Sequence, residues 1–224
     1  MTGRIQELVE ILKLSKESEH TELPDSLQEL LTNFGYNNTS EINREMRIEI
    51  ALEAISRGCE AEIVIQQLTW KDFEGFVARV LQENDYHCTE SYRRRGNKLV
   101  EGMEIDVIGV KGRSILAIDA KMWGIRSGKT SAIKEAIKKQ VIRTERLSHD
   151  LEKLSKKIPA MSPGIYTLIP IMATWLVEDV QIHEGVPVIP IFKLNAFLLD
   201  LARFEDFLIS FEGNLNRQMQ QSKL

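Results

Sequence analysis

Residues 104–121 read EIDVIGVKGRSILAIDAK. Two short apolar runs, Ile105–Val110 and Ser114–Ala120, read as strands. The link between them, Lys111-Gly-Arg113, is hairpin-like with glycine at the turn. Pairing these strands puts Asp106 close to Asp119. Two carboxylates a few ångströms apart repel each other unless a cation sits between them, and hard oxygen donors of this kind suit Mg²⁺ or Mn²⁺. Lys121 follows Asp119 by two residues and so leaves the strand on the same side. A lysine beside such a metal orients or deprotonates an attacking water, and the metal lowers that water's pKa. Phosphodiester hydrolysis needs this equipment: a metal, a water nucleophile and a cation to absorb developing charge. The plainer alternative is a surface ion pair between Asp119 and Lys121, which is worth little. Against it, Ile115-Leu-Ala-Ile118 makes the strand look central and buried.

Working outward, a helix starts at Thr69 with Asp72 closing a capping-box-like start, and Trp70, Phe73, Val77, Val80 and Leu81 form its apolar stripe. Tyr86–Arg93 alternates loosely, as a strand does. Downstream, Ile133, Ile137, Val141, Leu147, Leu151, Leu154 and Ile158 mark one long helix from about Ser131 to Lys157, with Thr144 breaking the stripe once. Tyr166–Thr174 and Val186–Ile191 are nearly continuous in hydrophobicity, as strands buried on two faces are. A last helix over Leu194–Phe211 closes the order α-β-β-β-α-β-β-α, which predicts an α/β fold with a mixed sheet covered by helices.

Residues 1–68 read instead as helix after helix, so the expected domains are an N-terminal helical region, 1–68, and an α/β domain, 69–224. Apolar residues recur at helical spacing at Ile5, Leu8 and Leu12 and again at Leu27, Leu30 and Leu31. From Ser40 a helix carries Ile42, Met46, Ile50 and Ala54 and stops at Gly58. Ala54, Gly58 and Val64 lie at offsets resembling a helix-turn-helix. Glu60 and Glu62 stand where that motif would meet phosphates, which favours packing or dimerisation over DNA binding.

The chain of 224 residues has a net charge of −4, unevenly spread. Between Glu90 and Lys157, 17 Lys and Arg face 9 Asp and Glu, so a basic middle is flanked by acidic ends. Within it, Arg93, Arg94, Arg95 and Lys98 form a basic loop, and Arg126 and Lys129 lie in a glycine-containing loop after Lys121. Both loops are candidates for phosphate contacts, since arginine forks match phosphate oxygens. Gln140, three residues after Ile137, faces partly inward on the long helix. Cys59 and Cys88 show no pairing pattern, which points to a reducing cytoplasm. The longest apolar runs fall short of a membrane span.

Asp106, twelve further residues, then Asp119-Ala120-Lys121 resembles the signature of the PD-(D/E)XK nuclease superfamily, most closely its Mrr-type restriction and archaeal Holliday-junction-resolvase branches. The preceding helix segment Trp70-Lys-Asp-Phe-Glu-Gly-Phe-Val77 matches as well, because these families often place an acidic residue there. The resemblance covers roughly residues 69–199 and implies a restriction-endonuclease-like αβββαβ core. It implies that Asp106, Asp119, the main-chain carbonyl of Ala120 and Glu74 hold Mg²⁺ or Mn²⁺, with Lys121 acting on the water. In some Mrr-like relatives a glutamine on the long helix approaches the site, which suggests Gln140. The pattern departs from other members in the Glu104-Ile105 lead-in and in having Asp119 where Glu is commoner. The implied function is a metal-dependent deoxyribonuclease, an endonuclease of DNA repair, recombination or restriction. An exonuclease would share the same site. Its partner is DNA, with homodimerisation the usual way for related enzymes to cut both strands. The alternative is an inactive nucleic-acid-binding module that keeps the fold.

Overall fold

The structure, a computed structural model, describes residues 2–16, 23–36, 42–96, 102–122, 129–175 and 181–216. The chain divides into two compact units, Met1–Phe76 and Val77–Leu224. The division falls inside helix α5 (Trp70–Glu83), whereas the sequence suggested a boundary ahead of that helix.

The first unit contains α1 (Thr2–Leu14), α2 (Asp25–Asn33), α3 (Arg44–Ser56), α4 (Ala61–Ile65) and the first turns of α5. α1, α3 and α4 pack on one another, and Leu8, Leu12, Ile50, Ala54 and Val64 on these helices are buried, as is Leu31 on α2. Asn43 caps α3 by accepting the Met46 N–H at 2.9 Å, so the helix begins later than Ser40. It ends at Gly58, whose φ of +93° turns the chain so that the Cys59 N–H donates to the Ala54 carbonyl at 3.0 Å. α4 has only five residues, too few for a recognition helix, and Ala54 and Val64 are buried, so the helix-turn-helix spacing serves packing. The capping box of α5 forms as expected: the Thr69 N–H donates to Asp72 Oδ2 at 2.7 Å and the Asp72 N–H to Thr69 Oγ1 at 3.2 Å. The same Asp72 oxygen accepts from Nε of the buried Arg47 at 3.0 Å. Arg47 donates further to the carbonyls of Leu12 at 2.8 Å and Gln67 at 2.7 Å, and to Ser15 Oγ.

The second unit is built on a mixed sheet of β1 (His87–Arg94), β2 (Met103–Lys111), β3 (Ser114–Lys121), β4 (Gly164–Thr174), β5 (Gln181–His183), β6 (Val186–Pro190) and β7 (Phe211–Leu215). Their order is β1-β2-β3-β4-β6-β5, with β7 also pairing β4. β3 and β6 run parallel to β4, and the remaining pairs are antiparallel. The hairpin turns at Gly112, φ +57°, between Lys111 and Ser114. β4 is the central strand. One of its edges follows β3 throughout, while the other is shared by β7, up to Leu168, and β6, from Met172. Pro170 lies in the gap between those two partners, where a missing N–H is best tolerated. The protein is thus an α/β fold with a mixed central sheet and a helical N-terminal region.

Two elements differ from the sequence reading. The long helix is two: α6 (Lys129–Ser148) and α7 (Leu151–Lys157), parted at His149 and Asp150. Ser148 Oγ bonds back to the Glu145 carbonyl at 2.7 Å at the break, and the stripe residues Leu147, Leu151, Leu154 and Ile158 stay in one core with Tyr166 and Leu168 across it. The last helix, α8 (Ile191–Leu199), is shorter than expected; two 3₁₀ turns follow, and then β7 instead of more helix. Phe211, Gly213 and Leu215 alternate with the exposed Glu212 and Asn214, a period of two that α-helix cannot satisfy. A Cβ at Gly213 would lie 2.6 Å from the Ser148 carbonyl, so glycine lets β7 slide under the break between α6 and α7.

Candidate active site

The site lies where β2 and β3 part. Their ladder runs from Lys111↔Ser114 to Val107↔Ile118 and stops, and the next residues along are Asp106 and Asp119. β3 continues beside β4, with Asp119 opposite Met172 and Lys121 opposite Thr174. In place of a main-chain bond, Asp106 Oδ2 accepts the Ala120 N–H at 2.8 Å. A charged acceptor thus caps the edge β3 loses, and it holds the Asp106 carboxylate beside the end of β3. On its other side Asp106 meets a second irregularity. The β1–β2 ladder pairs Glu90 with Val107 and Tyr92 with Ile105 but skips Ser91 and Asp106. Ser91 has φ +47°, a left-handed conformation that L-residues rarely adopt within a strand. Both ladders that flank Asp106 are therefore interrupted at its level.

Asp119 is 1% exposed. Its Oδ1 lies 3.1 Å from Lys121 Nζ and 3.1 Å from Arg143 Nη1, whereas its Oδ2 is buried with no hydrogen-bond partner among the described residues. The two cations are 33% and 30% exposed, so they form the wet side of an otherwise buried carboxylate. Gln140 fastens α6 to β3: its Nε2 donates to the Ala117 carbonyl at 2.8 Å, and Thr144 Oγ1 bonds the Gln140 carbonyl at 2.8 Å. That contact sets Arg143, three residues on, at the level of Asp119. Gln140 Oε1 and Thr174 Oγ1 are also buried without hydrogen-bond partners among the described residues. Buried orphan oxygens are rare in folded proteins, and those of Asp119, Gln140 and Thr174 belong to segments that meet around the end of β3.

Asp119 and Asp106 are the side chains here that could hold a hard divalent cation. Asp119 Oδ2 is a buried anionic oxygen without a donor, and Asp106 supplies a second carboxylate. Among the described residues no three His, Cys, Asp or Glu side chains gather into a metal cluster. Mg²⁺ suits such a sparse set, because it keeps several waters and takes substrate phosphate oxygens while using one or two protein carboxylates.

Within the second unit the structure brings together Asp106, Ala120, Asp119, Lys121 and Gln140. Ala120 is engaged through its N–H. Glu74 lies on the first-unit side of the division, buried, with its carboxylate 2.9 Å from Lys71 Nζ. Arg93 and Arg94 belong to β1 rather than to a loop. Arg93 pairs across the strand with Glu104 at 2.8 Å, and Arg94 with Asp150 at 3.2 Å. Arg95 is exposed just beyond the strand. Lys98 and Arg126 lie outside the described residues, and Lys129 opens α6 with its side chain outside them. Arg143 was not singled out from the sequence. The signal for it was the pair Gln140 and Thr144 within the apolar stripe of α6, which marks where that helix faces something polar.

No family model matches the chain. An uncharacterized protein of Archaeoglobus fulgidus is 25% identical over 135 residues, which cover 60% of this chain and 92% of that protein. Among solved structures, a protein of unknown function aligns with a TM-score of 0.28 and 20% identity over 47% of this chain and 47% of its own. A Vibrio cholerae protein aligns with a TM-score of 0.36 and 13% identity over 92% of this chain and 51% of its own. The chain spans about half the length of each of these two structures.

Proposed function

We propose that the protein is a metal-dependent deoxyribonuclease, an endonuclease of DNA repair, recombination or restriction. The observation that carries this reading is the buried Oδ2 of Asp119, which has no hydrogen-bond partner among the described residues, one position beyond the β2–β3 ladder and on the same carboxylate as two cations. A buried carboxylate oxygen without a donor is unfavourable unless it serves a ligand, and beside Asp106 the ligand it suits is Mg²⁺ or Mn²⁺. When bound, such a cation supplies positive charge against the charge that builds on a phosphate under attack. Asp119 and Asp106 would hold it. Lys121 Nζ orients the attacking water and faces the developing charge. The water oxygen bonds to phosphorus as the bond to the leaving oxygen breaks; the water's proton passes to solvent, and the leaving oxygen takes one up. Cutting both strands of a duplex would take two copies of the chain. The cytoplasm is the proposed setting, in keeping with the free thiols of Cys59 and Cys88. Among the described residues no helix is long and apolar enough to cross a membrane.

A second reading, a non-catalytic nucleic-acid-binding module, is favoured by one observation: Lys121 and Arg143 already neutralise Asp119 and no third acidic ligand gathers among the described residues. The two readings part in a cleavage assay on plasmid, branched and single-stranded DNA with Mg²⁺ or Mn²⁺. Cutting by wild type that is lost in Asp119→Ala and in Lys121→Ala supports the nuclease. Binding of the same DNA without any cutting supports the module.

A further inference from the structure

We propose that Arg143 is a displaceable counter-ion: it holds Asp119 while the site lacks a divalent cation, and it turns to a phosphate of the DNA once one is bound. This rests on the nuclease reading above. Arg143 meets Asp119 through a single nitrogen, Nη1, at 3.1 Å from Oδ1, and makes no other hydrogen bond among the described residues. The pair is therefore not the two-pronged fork that makes arginine–carboxylate contacts strong, and most of the donors of the guanidinium remain available. At 30% exposure the group reaches solvent, whereas its partner carboxylate does not. Lys121 also sits at 3.1 Å from the same Oδ1, so Asp119 keeps one cation when the other leaves.

The charges set the direction of the exchange. Asp106 and Asp119 are balanced by Lys121 and Arg143, so a divalent cation arriving at Asp119 meets an arginine beside it and is repelled by it. That repulsion is relieved when Arg143 swings away from Oδ1, and a phosphate is the partner its planar fork matches best. α6 keeps the displaced side chain near the site, because Gln140, one turn earlier, stays bonded to the Ala117 carbonyl. Metal loading and phosphate capture are thereby coupled through one side chain: Arg143 opposes the cation when it comes alone and favours the nucleic acid once the cation is in place.

The test uses the full chain and two readouts other than cleavage. The first is Mn²⁺ binding by calorimetry; the second is binding of a duplex oligonucleotide in Ca²⁺ over a range of salt. Arg143→Ala is expected to bind Mn²⁺ several-fold more tightly than wild type. It should bind duplex more weakly, with a salt slope shallower by about 1. A merely structural arginine would give the opposite first result, since loosening the site weakens metal binding. Arg143→Gln, which keeps length and polarity without charge, carries the same expectation should the alanine variant not fold. Mn²⁺ affinity unchanged or lowered in both variants overturns the proposal. If Asp119→Ala still abolishes Mn²⁺ binding in that case, the nuclease reading stands alone. No Mn²⁺ binding by wild type or by any variant overturns both.

Discussion

Two buried acid–base clusters of this protein invite comparison, Arg47 with Asp72 in the first unit and Asp119 with Lys121 and Arg143 in the second. In the first, both side chains are 4% exposed and the guanidinium is bonded on every side, to Asp72, Ser15 and the carbonyls of Leu12 and Gln67. It joins the end of α1, α3 and the start of α5, and all three of its nitrogens are engaged. In the second, the carboxylate is buried but its cations are about one-third exposed, and one carboxylate oxygen has no hydrogen-bond partner among the described residues. A closed network holds segments together; an open one keeps a charge ready for something that arrives. Burial of charge alone does not separate a structural pair from a functional one. Satisfaction of every donor and acceptor does.

The largest effect is expected from breaking the closed cluster. Arg47→Met leaves Asp72 buried without its cation and should destabilise the first unit by about 3–5 kcal/mol, read as an early transition in denaturant melts. Asp119→Asn should move stability by no more than about 1 kcal/mol, because Lys121 and Arg143 are already partly hydrated. Equal losses in the two variants would erase the distinction between the two clusters. The second cluster should show its importance in chemistry. Asp119→Ala and Lys121→Ala are each expected to lower cleavage about 10²–10³-fold or more while the circular-dichroism spectrum stays unchanged.

A smaller effect sharpens the picture of how the open cluster is held. Ser91, at φ +47°, faces the position of Asp106 across the interrupted β1–β2 ladder. Ser91→Gly relieves the strain and should leave stability equal or higher by up to about 1 kcal/mol, with weaker Mn²⁺ binding as Asp106 loosens. Ser91→Val should destabilise by about 1–3 kcal/mol. Unchanged Mn²⁺ binding in Ser91→Gly would remove Ser91 from the site.

The smallest effect is alkaline and belongs to the second unit. The Cys88 thiol is pushed from 9.0 up to about 12, chiefly by burial and secondarily by Glu90. A folded-state pKa above the unfolded one means that the unfolded chain loses this proton first. The stability the thiol contributes is thus complete below pH 9.0 and is lost as pH rises towards about 12. Cys88→Ala should flatten that decline, measured as the midpoint of denaturant unfolding against pH.

Much of this arrangement was legible beforehand. The hairpin, the shared side of Asp119 and Lys121, the capping box at Thr69 and the stop at Gly58 all rest on local periodicity and turn chemistry, which the chain carries within a few residues. β7 was missed although its alternation was present, because Leu194–Leu199 continues smoothly into apolar residues and only the approach of Gly213 to Ser148 forces the change of period. The break at His149 was hidden for a similar reason: the stripe stays in register across it.

By itself the sequence determined an α/β chain with a helical N-terminal region, and it set Asp106 within one strand beside Asp119 and Lys121 at the end of the next. These follow from spacings along one strand or one helix, where geometry is nearly invariant. Only the tertiary structure decided which oxygen of Asp119 is left without a donor, that Arg143 reaches it, and that Asp106 is bonded to the Ala120 N–H. Those outcomes depend on where β2 leaves β3 and on how α6 sits above the sheet. Segments far apart in the chain settle them together, because the electrostatics of a buried charge are fixed by whatever neighbours the fold delivers.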